Sequence, residues 1–360
     1  MAAAAGKGWQ FVQNGTTGIV ALESIIVSDT LAIFFDRATN DPLEINGHPA
    51  WGALYNLETN TASPLNLVTD SFCGSGSFLS NGTMVSVGGH IPVIPEAQDG
   101  RMGIRIWEPC DDPNGVGCSL FEDPETLHMA ETRWYDTSLR IFDGSLTGYA
   151  ALGTVKDPIG NNSNADHPAF TPSIYSPDAP LGKRISNEGM PTTDIARVYH
   201  SSVTLTQKGN IMIAGSNPNV QVVNGTKFHS EFRVEYLNPP YMTVDRPQIS
   251  NTPKKIAFNT KFHVDVSIPS HLRKGSIKVA LIDLGFSSHA FHSSSRLVFM
   301  EAQLSKNGKT LAITSPPNNR VYPPGPGYIF LTVDDVTSPG VRVIMGNGAS
   351  PPVEDQGIRV

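Results

Sequence analysis

A two-strand unit recurs along this chain, and it decides the class of fold. Phe78-Leu-Ser-Asn-Gly-Thr-Met-Val-Ser-Val-Gly-Gly89 reads as a strand, an Asn-Gly turn, a second strand and a glycine pair. Leu205-Thr-Gln-Lys-Gly-Asn-Ile-Met-Ile-Ala-Gly215 has the same layout, with Ala-Gly in place of the pair, and residues 24–35 follow it more loosely. Asn-Gly is a strong hairpin signal because both central residues of a type I′ turn need positive φ. Paired glycines at a strand end mark a close approach of backbones. Another copy opens at Leu139-Arg-Ile-Phe-Asp-Gly-Ser-Leu146. It then breaks, running on as Thr147-Gly-Tyr-Ala-Ala-Leu-Gly153 where a strand and a glycine pair are expected.

Repeats of roughly 40–50 residues built this way predict Kelch-like blades of a β-propeller. The rest of the composition agrees with an all-β chain. Its 360 residues include 33 Gly and 28 Pro, and only 16% are charged, so long helices and coiled coils are excluded. Lys and Arg number 26 against 33 acidic residues, with no basic block, which argues against nucleic-acid binding. The longest apolar runs, such as Leu31–Phe35, fall far short of the ~20 residues that span a bilayer.

Beyond Asn238-Pro-Pro240 the pattern changes. Strands are expected at 255–258, 262–268, 277–282, 296–304, 310–313, 328–333 and 341–344, about seven in an immunoglobulin-like sandwich. The predicted division is therefore 1–236 for the propeller and 237–360 for the sandwich. Cys110 and Cys118 flank a turn-rich loop and could close as a disulfide in an oxidising compartment, which leaves Cys73 over. Sequons lie at Asn14, Asn81, Asn161 and Asn224, and residues 1–8 lack the form of a signal peptide.

Taken singly, the residues that could carry chemistry are weak signals. Cys73 could be a core thiol, and Tyr135, within Arg133-Trp-Tyr-Asp136, a packed aromatic. Tyr199 and His200 would alternate faces on a strand. His289 and His292 are three apart, which on a strand also puts them on opposite faces, so no more than one should serve a given site.

In combination they carry more. Gly8-Trp-Gln-Phe-Val-Gln-Asn-Gly-Thr-Thr-Gly18, Asp70-Ser-Phe-Cys-Gly-Ser-Gly76, Asn164-Ala-Asp-His-Pro168, Arg197-Val-Tyr-His-Ser201 and Gly285-Phe-Ser-Ser-His-Ala-Phe-His-Ser293 span nearly the whole chain. Together they resemble the copper radical oxidases, with fungal glyoxal oxidase as the close match and galactose oxidase as a more distant one. The resemblance implies a seven-bladed propeller, a C-terminal sandwich and one mononuclear copper. It implies that Tyr135, joined to Cys73 by a thioether, carries the radical. His200 and His289 are then the imidazole ligands, and Tyr199 is the axial tyrosine that accepts the substrate proton. His292 is expected to be structural. The implied reaction takes small aldehydes such as glyoxal and methylglyoxal, with O2 and water, to carboxylic acids and H2O2. Extracellular peroxidases would use the peroxide. The resemblance further implies a secreted protein, expected to be a monomer with no nucleic-acid or membrane partner.

The chain departs from that family at Leu146–Thr147. Residues 1–236 have room for about four blades, and an internal deletion of about three is expected at 146/147. All the metal-site residues remain, but a working site needs its ligands held to within about 0.5 Å. Weak copper binding and low activity are therefore expected. Two alternatives stay open: a non-enzymatic propeller–sandwich binding module, which needs no thioether, and a galactose-oxidase-like alcohol oxidase.

Overall fold

The computed structural model describes residues 8–149, 167–272 and 275–352. Among these, the helical content is two short 3-10 turns, Pro240–Thr243 and Ser270–Leu272; the regular structure is otherwise β. Asn161 and most of the 164–168 motif lie outside the described residues.

The recurring unit folds as the sequence predicts, as antiparallel hairpins that open larger sheets. Ser75–Phe78 pairs with Met84–Val87, and Ile104–Glu108 and Ser119–Phe121 complete a four-stranded sheet. Gly82, in the turn, has φ 96°, and a side chain at Gly89 would run into the Asp70 carbonyl. Ser201–Leu205, Ile211–Gly215 and Arg233–Asn238 form a second sheet, whose fourth strand is the N-terminal Gln10–Thr16. Glu23–Ile26, Leu31–Phe35, Gly52–Asn56 and Thr61–Pro64 belong to a third. The broken copy gives a hairpin alone, Thr137–Arg140 with Leu146–Tyr149. The strand Arg233–Asn238 continues through residues 236 and 237, and the chain leaves the sheet at the Pro239-Pro240 pair.

The C-terminal part is a two-sheet sandwich. One sheet has the order Gln248–Ser250, Lys261–Ser267, Thr310–Thr314, Ala302–Leu304. The other has Lys255–Ile256, Val341–Met345, Gly325–Val333, Ile277–Asp283, Arg296–Met300. In Lys261–Ser267 the buried residues are Phe262, Val264 and Val266, the period-two pattern of a half-buried strand. The single strand expected at 296–304 is in fact two. Arg296–Met300 lies in one sheet and Ala302–Leu304 in the other, so the chain crosses between them at Glu301. The apolar run does not register that corner, because both strands face the same core.

The strand Gly325–Val333 is buried on both faces. Ile329, Leu331 and Val333 belong to the sandwich core with Leu281, Leu311 and Ile313. Tyr328 and Phe330 point the other way, into a cluster with Ile19, Phe34, Tyr55, Met212 and Val234. The two parts thus share a continuous apolar contact. The buried ion pair Arg140–Asp283, at 2.8 Å, ties the broken hairpin to the sandwich.

A second device joins the parts. Between Ile277–Asp283 and Arg296–Met300 the chain leaves the sandwich as the hairpin Phe286–Ser288/Phe291–Ser293. Its first strand pairs with Glu23–Ile26, in the register Glu23↔Ser288 and Ile25↔Phe286, and makes a six-stranded sheet from both halves of the chain. Phe286 is fully buried there among Ile25, Ile33, Phe35 and Phe78. Cys110 and Cys118 form the expected disulfide, and Cys73 is free and buried.

Candidate metal centre

Four bulky residues of the sequence reading hold a backbone conformation such residues rarely adopt. Cys73, Tyr135, His200 and His289 have φ of 61°, 55°, 58° and 53°. Each such residue costs on the order of 1–3 kcal/mol and persists where its surroundings over-determine it. Here the surroundings are strand starts. Cys73 and Tyr135 each lie two residues before a strand, and His200 lies directly before Ser201–Leu205. His289 is not on a strand, which corrects the expectation that strand alternation separates it from His292. It occupies the two-residue turn His289-Ala290, and Ala290 also has positive φ, at 58°. The turn is pinned from outside by a 2.6 Å hydrogen bond from Ala290 N–H to the Ser201 carbonyl.

These local twists bring residues far apart in sequence together. Cys73 Sγ lies 3.3 Å from His289 Nε2. One donor atom each from Cys73, His200 and His289 falls within 4.8 Å of the others. The Tyr135 and Tyr199 hydroxyls are 3.0 Å apart. The ring centroids of His289 lie 5.1 Å from Tyr135, 5.2 Å from His200 and 5.6 Å from Tyr199. All five residues read from the sequence therefore meet. His292 does not; it sits on Phe291–Ser293 opposite Ser287.

The hydrogen bonds show which nitrogen of each imidazole faces the cluster. His200 Nδ1 lies 2.7 Å from the Asn217 carbonyl, an acceptor, so Nδ1 carries the proton. Nε2 is left as a lone pair, buried and without a partner. Leaving such an atom unsatisfied costs about 1–3 kcal/mol. His289 Nδ1 meets Ser288 Oγ at 2.8 Å and turns its Nε2 into the same space. Burial, helped by the neighbouring His289, pushes the His200 pKa down to about 3, and burial takes His289 to about 4. Both imidazoles are then neutral near pH 7, the form that binds metals. Burial also raises the Cys73 thiol and the Tyr135 phenol. Two converging imidazole nitrogens with two phenol oxygens are a mixed N,O donor set of the kind that suits Cu(II), so the residues present fit copper.

Supporting residues escaped the sequence reading. Phe72 meets the His200 ring at 5.1 Å, and Trp134 meets Tyr135 at 4.8 Å. Each adjoins a singled-out residue, Cys73 or Tyr135, so position alone was their signal. Ser288 and Ala290 likewise adjoin His289, whereas Asn217 acts through its backbone carbonyl and carries no such mark. The cluster opens into a cavity of about 330 Å³ whose lining includes Cys73, Tyr135, Asp136, Tyr199, His289 and Phe291.

Comparison with known proteins agrees with this picture. The glyoxal oxidase N-terminus family matches residues 37–148 and 152–241, more than half of the chain. This chain belongs to the glyoxal oxidase family. The galactose oxidase-like early set domain matches residues 246–345. Among curated glyoxal oxidase-like relatives, aldehyde oxidase GLOX of Vitis pseudoreticulata is 32% identical over 174 residues, covering 46% of this chain and 33% of the relative. Aldehyde oxidase GLOX1 of Arabidopsis thaliana is 30% identical over 187 residues, covering 49% of this chain and 30% of the relative. The chain thus spans about a third of the length of these relatives. A copper-bound fungal alcohol oxidase of the AA5 family shares the fold, with a TM-score of 0.57 at 12% identity, over 95% of this chain and 99% of that one. The family is that of the copper radical oxidases, and family membership makes the chain an oxidoreductase homologue. No helix among the described residues is long and apolar enough to cross a membrane.

Proposed function

We propose that this chain carries the centre of a copper radical oxidase that converts small aldehydes such as glyoxal and methylglyoxal to carboxylic acids. The overall change is RCHO + H2O + O2 → RCOOH + H2O2. One observation carries the reading: Tyr135, Tyr199, His200 and His289 converge beside Cys73, with His200 Nε2 buried and unpartnered. His200 and His289 would hold the metal through Nε2, and Tyr135 and Tyr199 through their phenol oxygens. Copper, when bound, supplies a one-electron acceptor and an open coordination position.

The side chains do the rest. The oxidation removes two electrons, so a second one-electron carrier is needed, and Tyr135 is that group. A thioether from Cys73 to its ring would donate electron density and lower its oxidation potential. Cys73 is buried against the same cluster, with its thiol interacting with Tyr135. Held to copper as a phenolate, Tyr199 would accept the substrate proton at its oxygen, which lies 3.0 Å from the Tyr135 hydroxyl. The cavity holds the hydrated aldehyde against both phenols.

The reading includes the division of the chain at 236/237 and an internal deletion of about three blades at 146/147. What supports the deletion is the family match, which comes in two stretches broken at 149–151, and the lone hairpin Thr137–Arg140/Leu146–Tyr149. Tyr135 is 41% exposed beside that hairpin, so the centre is open on this side. Copper binding weaker than in an intact propeller, and slow turnover, follow. The disulfide and the exposed sequons Asn14 and Asn224 suit a secreted monomer whose peroxide extracellular peroxidases consume.

The test is a copper titration of the purified chain, followed by peroxide assays with methylglyoxal, galactose and benzyl alcohol. One equivalent of copper and methylglyoxal-dependent peroxide are expected. Stoichiometric copper with peroxide from the alcohols alone would make it an alcohol oxidase. No specific copper binding would leave a non-enzymatic propeller–sandwich module.

A further inference from the structure

Resting on that oxidase reading, we propose that Phe291 makes the centre selective for uncharged aldehydes bearing an apolar substituent and against carboxylate-bearing ones such as glyoxylate. The geometry begins in the turn that carries His289. Ser288 and Phe291 are cross-strand partners on either side of His289-Ala290, so the turn that places His289 also places the Phe291 backbone. His292 follows on the strand with its Nε2 buried. Alternation then sends Phe291 to the opposite side, where it lines the cavity and is 69% exposed. Thr137, at the start of the Thr137–Arg140 strand, lines the same cavity.

The rest of the lining sets the sign of the selection. Among the described residues it contains no lysine or arginine. It does contain Asp136, whose Oδ2 accepts a hydrogen bond from Ser75 while Oδ1 is buried without a partner. In the copper-free cavity a substrate carboxylate would meet the Asp136 carboxyl group and no cationic side chain of the lining, an arrangement that works against it. An apolar substituent would instead lie on the exposed face of Phe291. At about 330 Å³ the cavity has the size of a small-molecule site.

The experiment separates this selectivity from turnover. Binding of benzyl alcohol and of benzoate to the copper-free chain is followed by ligand-observed NMR and by Trp134 fluorescence. Benzyl alcohol is expected to bind and benzoate to bind at least tenfold more weakly. Phe291→Ala should weaken benzyl alcohol about fivefold, with Phe291→Leu between the two. In the copper-loaded chain, kcat/KM should favour methylglyoxal over glyoxylate, and Phe291→Ala should shrink that ratio. Equal binding of benzoate, or unchanged benzyl alcohol binding in Phe291→Ala with folding intact by circular dichroism, overturns the proposal even if the chain oxidises aldehydes. A copper-loaded chain that makes no peroxide overturns the oxidase reading instead, and the binding ratios still decide the role of Phe291.

Discussion

The backbone N–H of Tyr135 donates a 3.1 Å hydrogen bond to the carbonyl of Cys73. The two residues are therefore paired through the main chain, whatever their side chains do. Both backbones are left-handed at that point, and this aims the thiol and the phenol into one space. We expect the thioether to form with little movement. After copper loading in air, a proteolytic fragment containing both residues should be lighter by about two hydrogens, and Cys73→Ser should abolish the change. An unaltered mass in copper-loaded protein would count against the radical cofactor.

Ser288 orients His289 by meeting its Nδ1 at 2.8 Å. Partners of this kind typically carry about 10–100-fold in metal affinity. Ser288→Ala should weaken copper binding by about tenfold in a chelator competition, while His200→Ala or His289→Ala should abolish specific binding. Thermal unfolding of the copper-free Ser288→Ala chain should stay close to that of the parent.

The Arg140–Asp283 pair is buried at both ends, and Arg140 also donates to the Pro326 carbonyl at 3.0 Å. Removing one partner leaves the other charge buried and uncompensated, at a cost of about 3–5 kcal/mol. Asp283→Ala should lower the urea midpoint accordingly. Equilibrium unfolding followed by fluorescence and by circular dichroism measures it.

Stability should fall as the solution becomes alkaline. Glu23 is fully buried, and no side chain hydrogen-bonds its carboxyl oxygens. Burial, opposed in part by Arg105, pushes its pKa up to about 8. Burial likewise takes Asp41 and Asp70 to about 7. A raised folded-state pKa means that protonation is favoured by folding. That contribution is complete below the unfolded value of about 4 and is lost as pH climbs through 7 and 8. The Tm should drop between pH 7 and pH 9, above the range in which the buried neutral His200 and His289 act in the opposite sense, and Glu23→Gln should flatten part of that slope and raise the Tm at pH 9.

Much of the fold was legible because its signals are local. The Asn-Gly turn at residues 81–82 and the alternation of Phe262, Val264 and Val266 each sit inside a few residues. The closing of Gln10–Thr16 on Arg233–Asn238 was not legible, because it pairs opposite ends of a long segment. Nor was the departure of Phe286–Ser293 from the sandwich, since its strands look like any others until their partner, Glu23–Ile26, is known. The site has the same character. Cys73 and His289 touch across a separation of 216 residues, and the positive φ at each candidate follows from tertiary context. Taken alone, none of the five residues announced itself. It was their joint resemblance to a family that singled them out, and the structure brings them together.

The pairing of Gln10–Thr16 with Arg233–Asn238 also sets an order of events at the ribosome. At about 5–20 residues per second, the first strand waits on the order of 10–50 s before its partner is made. Throughout that interval it presents an open edge on a nascent chain, the state in which strands capture the wrong neighbour. The sheet it completes is the one that opens at Ser201, directly after His200, and His289 is synthesised later still. The centre can therefore close only after residue 289 has been made, and until Arg233–Asn238 emerges the Gln10–Thr16 strand has to be kept from pairing elsewhere.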